Sequence, residues 1–470
     1  MQRYQVVSQN EIEKLHETSL KIMDEVGIVI PYEPALEILK KGGAKIDGQT
    51  VHYPREMVER ALQAVPSSFT LYSRNPDRNV EITTRNSVFA GPNCPPFVHD
   101  LDNGRRDGTI NDFNNLAKLC HMLGNIDLQS NAYCEPQDVG ENIRHLVMVY
   151  NAFKYNEKPL MGGTLGYRAA KECIELAAIP FGGVGAIKDK PVMSAIPCTL
   201  TPLSYDPLMA GAIIAYAEHG QVQLINSFVI AGSTGPVTLA ASIALQNAET
   251  LAGIVLAQLV NPGTPIVYSA AGTNTDMRTG GLAVGSPEHA LFSLINGQLT
   301  RYYNIPCRIS GALTDSKCVD AQAGYEAMLT LLMAQMGGGN FILHGGGIME
   351  TYNCVSYEKL MMDDELIGMV KRIARGVEVN DETLAYDLIK SVGPQGGYID
   401  HRHTFKNFRK EFYQPLISDR SIPGKWRDEG SLTAEKRANV RWKKLLAEYQ
   451  EPMLPADVIR DMEKYIEDHK

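Results

Sequence analysis

The sequence predicts an α/β protein whose central part is a (βα)8 TIM barrel, with helical extensions at the N- and C-terminal ends. Three observations favour this fold class. Eight apolar, strand-like runs follow one another along the chain, helix-length segments separate them, and together they span about 290 residues, which fits one barrel. A doubly wound open sheet is the alternative, but it usually has fewer strands and a glycine-rich nucleotide fingerprint, which this sequence lacks.

The chain divides into three predicted parts. Residues 1–86 are expected to form a helical extension with small strands, residues 87–375 the barrel, and residues 376–470 a helical C-terminal region. The chain ends in a charged amphipathic helix from Pro455 to His469, which predicts a solvated surface or a subunit contact. We therefore expect a homo-oligomer.

The individual strands and helices are marked by apolar runs and by the turn residues that bound them. The predicted barrel strands are Ser87 to Gly91, Leu128 to Tyr133, Pro159 to Thr164, Pro191 to Cys198, Gln221 to Ile230, Pro265 to Ser269, Cys307 to Leu313 and Asn340 to His344. The predicted helices include Asn10 to Val26, Pro54 to Val65, Thr109 to Leu123, Gly140 to Tyr155, Asp206 to Glu218, Val237 to Val260, Pro287 to Tyr303 and Val319 to Met336.

Composition and charge exclude several classes of partner. The chain of 470 residues is 44% hydrophobic and 21% charged, with a net charge of −9 and no basic run, so nucleic acid and anionic membrane are poor candidates. The N-terminus has no apolar signal-peptide core, and no segment offers about 20 uninterrupted apolar residues, which predicts a cytoplasmic protein without a membrane span.

Metal binding by this chain is not expected. The eight cysteines are scattered without a CxxC pair, which favours reduced core thiols over disulfides or a zinc site. His401 and His403 lie close to Asp400, but they stand among basic residues outside the barrel with no evident third ligand. We interpret them as structural.

Two predicted strand ends carry polar residues and should meet at one rim of the barrel. Thr314, Asp315 and Ser316 follow the seventh strand, and His344 precedes the run Gly345 to Gly347 after the eighth. His344 is either a core histidine bonded to a carbonyl or a binding group, with neither interpretation favoured. We predict His344 and Asp315 as catalytic residues.

Aromatic residues near several predicted strand ends form a candidate cage for a cation. Each of them alone is more typical of a core, but together on one rim their ring faces would attract positive charge. The candidates are Phe97, Tyr133, Tyr205, Phe228 and Tyr352.

Two further rim segments have alternative interpretations. The loop from Thr273 to Glu288 is long, polar and glycine-rich, so it is either a solvated insertion or, as we favour, a lid or docking surface that carries Asp276 and Arg278. In Ala231 to Ala240, Ser233 or Thr234 could cap a helix whose free N–H groups bind an anion, although a plain capped helix is favoured.

Several long motifs follow one another along nearly the whole chain, namely PVMSAIPCTLTPL, NPGTPIVYSAAGTNTDMRTGG followed by GSPEHAL, SGALTDSKCVDAQAGYE, MMDDELIGMVKRIARG and HTFKNFRKEFYQP. Together, and in this order, they resemble the trimethylamine methyltransferase family. The resemblance implies a (βα)8 barrel that transfers a methyl group from an amine to the Co(I) of a corrinoid (cobalamin). That corrinoid is carried by a separate cognate protein, in agreement with the lack of a DxHxxG motif here.

The chain departs from the founding trimethylamine enzymes in one respect. Those carry pyrrolysine in the region of the seventh strand, whereas CRISGALTDSK here contains only ordinary residues. Pyrrolysine is thought to hold a tertiary amine through the nitrogen lone pair, which a quaternary ammonium does not have. The chain therefore resembles the non-pyrrolysine branch, whose members demethylate glycine betaine, proline betaine or carnitine.

The resemblance implies roles for the rim residues. The trimethylammonium group would lie in the aromatic cage, and a betaine carboxylate would be held by His344 with the N–H groups of Gly345, Gly346 and Gly347, assisted by Asn93 or Asn274. The corrinoid protein would dock on Asp276, Arg278 and Lys317. Two other functions stay open: a barrel lyase or aldolase that binds an anion at Gly232 to Gly235, and a betaine-binding module without turnover.

Overall fold

A computed structural model of the chain describes residues 3–470 and begins with a small mixed region. Its elements are α1 Gln9–Lys21, β1 Ile28–Val29, α2 Glu33–Gly42, β2 Lys45–Asp47, β3 Thr50–His52, α3 Arg55–Ala64, β4 Ser68–Leu71 and β5 Val80–Thr83. The first predicted helix is present because Ser8 and Glu11 form a reciprocal capping box at its start, and it ends before Gly27, whose φ is +82°.

The central region contains the larger sheet and most of the helices. Its elements are β6 Val88–Phe89, β7 Phe97–Asp100, β8 Gly104–Asp107, α4 Ile110–Met122, α5 Glu141–Tyr155, β9 Leu160–Gly162, α6 Gly166–Ala178, β10 Met193–Ala195, α7 Pro207–Glu218, β11 Val222–Ala231, α8 Leu239–Val260, β12 Ile266–Thr275, β13 Leu282–Ala283, α9 Pro287–Tyr303, β14 Cys307–Ser310, α10 Ala321–Gly337, β15 Phe341–Leu343, β16 Ile348–Met349, β17 Cys354–Ser356 and α11 Tyr357–Arg375. The C-terminal region is helical, with α12 Asp381–Leu384, α13 Tyr386–Val392, α14 Arg402–Glu411, α15 Pro423–Asp428, α16 Ala434–Glu448 and α17 Ala456–Asp468.

The main sheet is a parallel half-barrel of seven strands. Its order is β6, β15, β14, β12, β11, β10 and β9, with β13 added antiparallel to β12. Six of these strands alternate with helices, as the sequence pattern predicts for α/β proteins. The predicted strand at Leu128 to Tyr133 is reduced to one parallel bridge between Leu128 and Ala90.

The second predicted strand is short because its continuation bends toward other partners. The Gln129 N–H still donates to the Pro159 carbonyl at 2.9 Å, in line with the neighbouring strand. Two residues later the Asn131 N–H donates to the Asn93 side chain at 3.1 Å, which draws the chain away from the sheet. The sixth predicted strand, in contrast, is longer than expected, because β12 pairs with β11 as far as Asn274.

The concave face of the sheet has an apolar floor. Side chains from the strands and from the β4–β5 hairpin form one buried cluster, namely Leu71, Ile82, Val88, Ala90, Leu128, Met161, Val222, Leu224, Val267, Phe341 and Leu343. Leu71 and Ile82 of the hairpin are fully buried there, so the hairpin closes the end of the sheet at which the strands begin. At the other end, which we call the mouth, the strands finish, and polar and catalytic residues of such sheets usually lie there.

The last helix is attached to its own chain. Met462 and Ile466 of α17 are buried, the Tyr465 hydroxyl donates to Glu175 at 2.7 Å, and Glu463 accepts from Tyr150 at 2.7 Å. One face of α17 therefore packs on its own chain while most of its other residues are exposed, as predicted for an amphipathic surface helix, and a subunit contact stays a prediction. The three-part division at residues 86 and 375 stays a prediction.

One helix is apolar along its whole length. The 22 residues of α8, Leu239–Val260, are long and apolar enough to cross a membrane by composition alone, but 83% of the relevant window is buried inside the protein. Its partners include the N-terminal helices and β11, so the absence of a polar face is explained by packing on all sides.

Candidate active site

A row of polar side chains crosses four adjacent segments just above the apolar floor. Asn226 is in register with Ser269, Ser269 with Arg308, and Cys198 bridges Asn226 on the other side. Asn226 Oδ1 accepts from Ser269 Oγ at 2.8 Å and from Arg308 Nη1 at 3.4 Å, and its Nδ2 donates to Cys198 Sγ at 3.3 Å. These contacts place one guanidinium group at the centre of the concave face.

The guanidinium of Arg308 has no carboxylate partner. Arg308 is 2% exposed, and the one side-chain hydrogen bond that it donates within residues 3–470 goes to an amide oxygen, that of Asn226. Its Nε has no hydrogen-bond partner within that part of the chain. Burial lowers the pKa of Arg308, but a guanidinium stays charged in proteins. The site therefore carries an uncompensated positive charge.

His344 lies beside this charge as a neutral imidazole. Its backbone is left-handed, with φ +58°, and its carbonyl is fixed by the Ala312 N–H at 2.9 Å. Burial, with smaller contributions from Arg308 and His289, lowers the pKa of His344 well below 6.5, so the ring is uncharged at neutral pH. Nδ1 of the ring is buried without a partner in the described chain. This imidazole is thus free to bond to a ligand.

Two aromatic rings stand next to His344 at the mouth. The Tyr352 ring lies 5.0 Å from the imidazole and 6.0 Å from the Phe228 ring, with an edge-to-face angle of 81° to the latter. The Tyr352 hydroxyl is 3.2 Å from Ser310 Oγ. Phe228 lies two residues beyond Asn226 on β11, so the aromatic pair is above the polar row and nearer the solvent.

The turn that carries Tyr352 is strained. Glu350, Thr351 and Tyr352 have φ values of +51°, +58° and +73°, three consecutive left-handed residues without a glycine. Such conformations cost about 1 kcal/mol or more each and persist where neighbours fix them. Here the N–H groups of Glu350 and Thr351 donate to the carbonyls of Ser316 and Thr314 at 3.0 and 3.2 Å.

The glycine run after His344 is committed to the scaffold. The Gly345 N–H donates to the Ala90 carbonyl at 2.8 Å, and the Gly347 N–H donates to Asp363 Oδ2 at 2.8 Å. A Cβ on Gly346 would stand 2.9 Å from that of Asp363, so this glycine allows α11 to approach closely. The predicted free N–H donors at Gly345 and Gly347 are therefore corrected to a packing role, and a substrate contact of the Gly346 N–H stays a prediction.

Asp315 joins two rim loops and does not point at the polar row. Its carboxylate accepts from the Val284 and Gly285 N–H groups at 3.0 and 2.9 Å and from Thr351 Oγ1 at 2.9 Å. Its predicted catalytic role is therefore corrected to a positioning role. The carboxylate connects the Tyr352 turn to the segment that follows the β12–β13 hairpin.

We expect Asp315→Asn to loosen this connection. An amide oxygen replaces only part of the carboxylate, and charge-assisted bonds of this kind contribute about 1.5–3 kcal/mol. Trypsin should then cleave after Arg278, whose side chain is 90% exposed, about tenfold faster than in the wild type. The control is Glu288→Gln, because the Glu288 carboxylate has no side-chain hydrogen bond within residues 3–470. Equal cleavage of both variants would contradict the positioning role of Asp315.

The other predicted cage residues lie elsewhere. Tyr133 is buried against Phe113, with a hydroxyl bonded to Gln129, and Tyr205 is buried with a hydroxyl that donates to the Glu249 carbonyl at 2.8 Å. Both are core residues, because their hydroxyls find partners away from the mouth. Phe97 is covered by Arg105, whose Cζ is 3.7 Å from the ring centroid.

The predicted loop at Thr273 to Glu288 is mostly a β-hairpin. β12 continues to Thr275 and pairs with β13, and the turn between them carries Asp276 and Arg278, which form a 3.4 Å ion pair. A groove of about 960 Å³ separates this hairpin from the turn with Lys317 and Asp315. The three predicted docking residues therefore line one groove. Asn274 accepts from Ser286 at 2.9 Å and supports the hairpin.

The alternative anion site at Gly232 to Gly235 is not free. The N–H groups of Gly232 and Gly235 donate to the carbonyls of Gly235 and Ile230 at 3.0 and 3.1 Å within the turn. The helix begins only at Leu239, with Thr238 at the N-cap position, so Ser233 and Thr234 lie too far upstream to cap it. The lyase alternative loses its proposed anion site.

Two remaining predictions concern polar residues. Asn93 accepts from the Asn131 N–H and is nearly buried beside the first strand end. His401 is the N-cap residue of α14, and its Nδ1 accepts from the His403 N–H at 3.1 Å. Among residues 3–470 no group of three or more His, Cys, Asp or Glu side chains is arranged to hold a metal ion.

The sequence reasoning missed Arg308, Asn226, Ser269 and Ser310. A signal for Arg308 was available: it is the one charge within the apolar run Cys307 to Leu313, and period-two alternation puts it on the same face as Ser310. A charged residue in the middle of a barrel strand is rarely buried without a partner.

Comparisons with known proteins agree over the full length. The chain matches the family model of trimethylamine methyltransferase (MTTB) over residues 1–470. It is 45% identical to the glycine betaine methyltransferase of Desulfitobacterium hafniense (strain Y51), across 99% of this chain and 97% of that protein. It is 32% identical to the proline betaine:corrinoid methyltransferase of Eubacterium limosum, across 88% and 87%.

A solved structure has a similar fold. The crystal structure of the hydroxylamine MtmB complex aligns with a TM-score of 0.51 over 96% of each chain, at 12% sequence identity. At 12% identity this similarity supports the fold alone. The family of the chain is shown by the family model and by the relative that is 45% identical. The chain belongs to the trimethylamine methyltransferase family.

Proposed function

We propose that the protein transfers a methyl group from a quaternary amine such as glycine betaine to the Co(I) corrinoid of a separate protein. The observation that carries this proposal is the 45% identity to a glycine betaine methyltransferase over nearly the whole of both chains. The aromatic pair above a polar row supports it, because aromatic faces attract a quaternary ammonium.

The reaction needs alignment and little proton chemistry. The methyl–nitrogen bond breaks with its electron pair left on nitrogen, which becomes a neutral tertiary amine. The new carbon–cobalt bond takes both electrons from Co(I), which becomes Co(III). Because the leaving group is neutral, no general acid is required, and the protein contributes by orienting the amine and excluding water.

We also propose that the strands close into a complete barrel and that the protein is cytoplasmic. The single bridge at Leu128 and the hydrogen bond from Gln129 to Pro159 lie between β6 and β9, the two open edges of the half-barrel. An eighth short strand at this position would complete a (βα)8 barrel with the mouth at the strand carboxyl ends.

The experiment that tests the function is a spectroscopic assay. The purified enzyme is mixed with quaternary amines and a corrinoid protein reduced to Co(I), and formation of methyl-Co(III) is followed. We expect turnover with at least one carboxylated quaternary amine. Binding of a betaine without any methyl transfer across a panel of corrinoid proteins would favour the binding-module alternative.

We propose that the corrinoid protein docks on the groove between the β12–β13 hairpin and the turn at Lys317. The groove opens beside the Tyr352 turn, so a partner seated there could present cobalt to the methyl group. Asp276, Arg278 and Lys317 offer charges of both signs to that partner. Rim charges of this kind affect association rate more than chemistry.

Charge reversal at Arg278 should therefore weaken docking only. We expect Arg278→Glu to raise the KM for the corrinoid protein about threefold to tenfold at low salt, with a smaller effect at high salt because ions screen exposed charges. Betaine binding should not change. Lys188→Glu, an exposed lysine beside the closed end of the sheet, is the matched control. An unchanged dependence on partner concentration would exclude this docking surface.

We also propose that the chain self-associates, as the sequence analysis expects. The helices α12–α15 contain no buried residue, yet this region exposes large apolar side chains such as Ile399 (89%), Val377 (76%) and Phe405 (75%). Exposed apolar patches are typical of association surfaces. A second copy of the chain is the proposed occupant.

A further inference from the structure

We propose that Arg308 is the anchor for the substrate's carboxylate and that the enzyme is built for quaternary amines that carry one. This inference rests on the proposed function and deepens it, since it names the residue that distinguishes a betaine from an uncarboxylated quaternary amine. The anchor is located in the polar row, beneath the aromatic pair formed by Phe228 and Tyr352.

The hydrogen-bonding capacity of Arg308 is almost unused. A guanidinium offers five N–H donors in a planar fork that matches a carboxylate. Only Nη1 has a partner, Asn226 Oδ1 at a long 3.4 Å, and Nε has none among the described residues. The neighbouring Nδ1 of His344 is also without a partner. Two polar groups with unused hydrogen-bonding capacity thus lie on and just beyond neighbouring strands of the sheet.

Three part-buried arginines of this protein have a carboxylate or a backbone carbonyl as their partner. Arg106 lies between Asp100 and Asp112 at 2.6 and 2.7 Å, Arg74 is 3.7 Å from Glu157, and Arg301 donates to the Gly337 carbonyl at 2.5 Å. Burial of an unpaired charge destabilises a fold. Arg308 differs from Arg106 and Arg74 in having no carboxylate partner among the described residues, and from Arg301 in the length of its one hydrogen bond, 3.4 Å. We expect its counterion to arrive with the ligand.

The layering of the site fits a short zwitterion. Phe228 is two residues beyond Asn226 on the same strand, about 6.6 Å farther toward the mouth at the usual rise of a parallel strand. A carboxylate held by Arg308 would leave an ammonium group, one short spacer away, at the level of Phe228 and Tyr352. Its methyl groups would then point out of the mouth, where the methyl acceptor must approach.

The inference is tested by binding of half-ligands to the purified enzyme, without any corrinoid protein. The probes are glycine betaine, tetramethylammonium, which has only the cation, and 3,3-dimethylbutanoate, a carbon isostere that has only the carboxylate. The variants are Arg308→Met, Arg308→Lys, and the matched control Arg301→Met, a partly buried arginine bonded to a backbone carbonyl. Calorimetry gives the dissociation constants, and circular dichroism verifies folding.

We expect Arg308→Met to weaken glycine betaine and 3,3-dimethylbutanoate by about 100-fold or more, as for other buried charged pairs that lose one partner. Tetramethylammonium should bind within about threefold of wild type. Arg308→Lys should retain part of the affinity, since it keeps the charge without the fork. Unfolding should not occur at a lower temperature in Arg308→Met, because an unpaired buried charge is removed.

Two outcomes would overturn the inference. Equal losses for all three probes would show that Arg308 is structural, and unchanged betaine affinity in Arg308→Met would show that the carboxylate binds elsewhere. Both outcomes are independent of the proposed function, because a wild-type enzyme that binds betaine but transfers no methyl group would contradict the methyltransferase proposal while leaving the anchor intact.

Discussion

Removal of the Tyr352 ring should lower kcat/KM for glycine betaine about 100-fold. The ring contributes a cation–π contact with the ammonium, about 0.5–2 kcal/mol, together with the apolar area it covers, which adds about 1.5–3 kcal/mol. Tyr352→Asn is the preferred variant, because asparagine tolerates the left-handed φ of +73° found at this position. The loss should appear chiefly in KM, since the contact forms already in the bound substrate.

Two control variants distinguish the contribution of the Tyr352 ring from that of its hydroxyl and from a general loss of stability. Tyr352→Phe keeps the ring and loses only the hydroxyl contact with Ser310, so it should retain at least about one third of the activity. Tyr133→Phe removes a hydroxyl that the structure places in the core, and KM should not change even where the melting temperature falls. A Tyr352→Asn enzyme with the wild-type KM would exclude the cage.

The order of elements was predictable from sequence, whereas the exact lengths of the strands were not. The alternation of apolar runs with helix-length segments indicates the parallel sheet, since this pattern depends on local hydrophobicity. The predicted strand at Leu128 to Tyr133 shortens to one bridge because Asn131 and Ala132 bond to residues near Asn93, a choice made by tertiary contacts. The four-stranded sheet of β16, β17, β7 and β8 also depends on tertiary contacts, because β7 pairs with β17, which lies about 250 residues later in the chain.

The sequence predicts which residues lie near strand ends, but it does not predict which of their side chains turn toward the site and which turn into the core. His344 and Tyr352 follow the last strand, and the structure brings them to the mouth with Phe228. Tyr133 and Tyr205 have the same sequence context, but Gln129 and Glu249 draw their hydroxyls into the core. Proximity to a strand end does not determine which way a side chain turns.

The site has an order along the strand direction that explains its chemistry. The apolar floor excludes water, the polar row above it holds one uncompensated cation, and the aromatic pair forms the outermost layer. A zwitterion can satisfy these layers in only one direction, with its anion inward and its methyl groups outward. The reaction depends on the orientation of the methyl–nitrogen bond, and the order of these three layers determines that orientation.

His344 should act as a neutral partner of the carboxylate beside Arg308. We expect His344→Ala to reduce kcat/KM for a carboxylated betaine by about tenfold to a thousandfold, the loss of about 1.4–4 kcal/mol for a charge-assisted hydrogen bond. His344→Asn, which keeps a neutral donor and tolerates the φ of +58°, should recover part of that loss. Choline and tetramethylammonium should be affected much less, because they have no carboxylate.

The pH dependence distinguishes a neutral imidazole from a charged one. Because burial and Arg308 lower the pKa of His344 well below 6.5, the ring stays neutral from pH 8 down through pH 6, and kcat/KM measured with excess Co(I) corrinoid protein should be flat over that range. An imidazolium anchor would instead give a rate that rises as the pH falls through about 6.5. Equal losses of His344→Ala with carboxylated and uncarboxylated amines would assign His344 to the scaffold or to contact with the corrinoid, and Arg308 would remain as the only anchor.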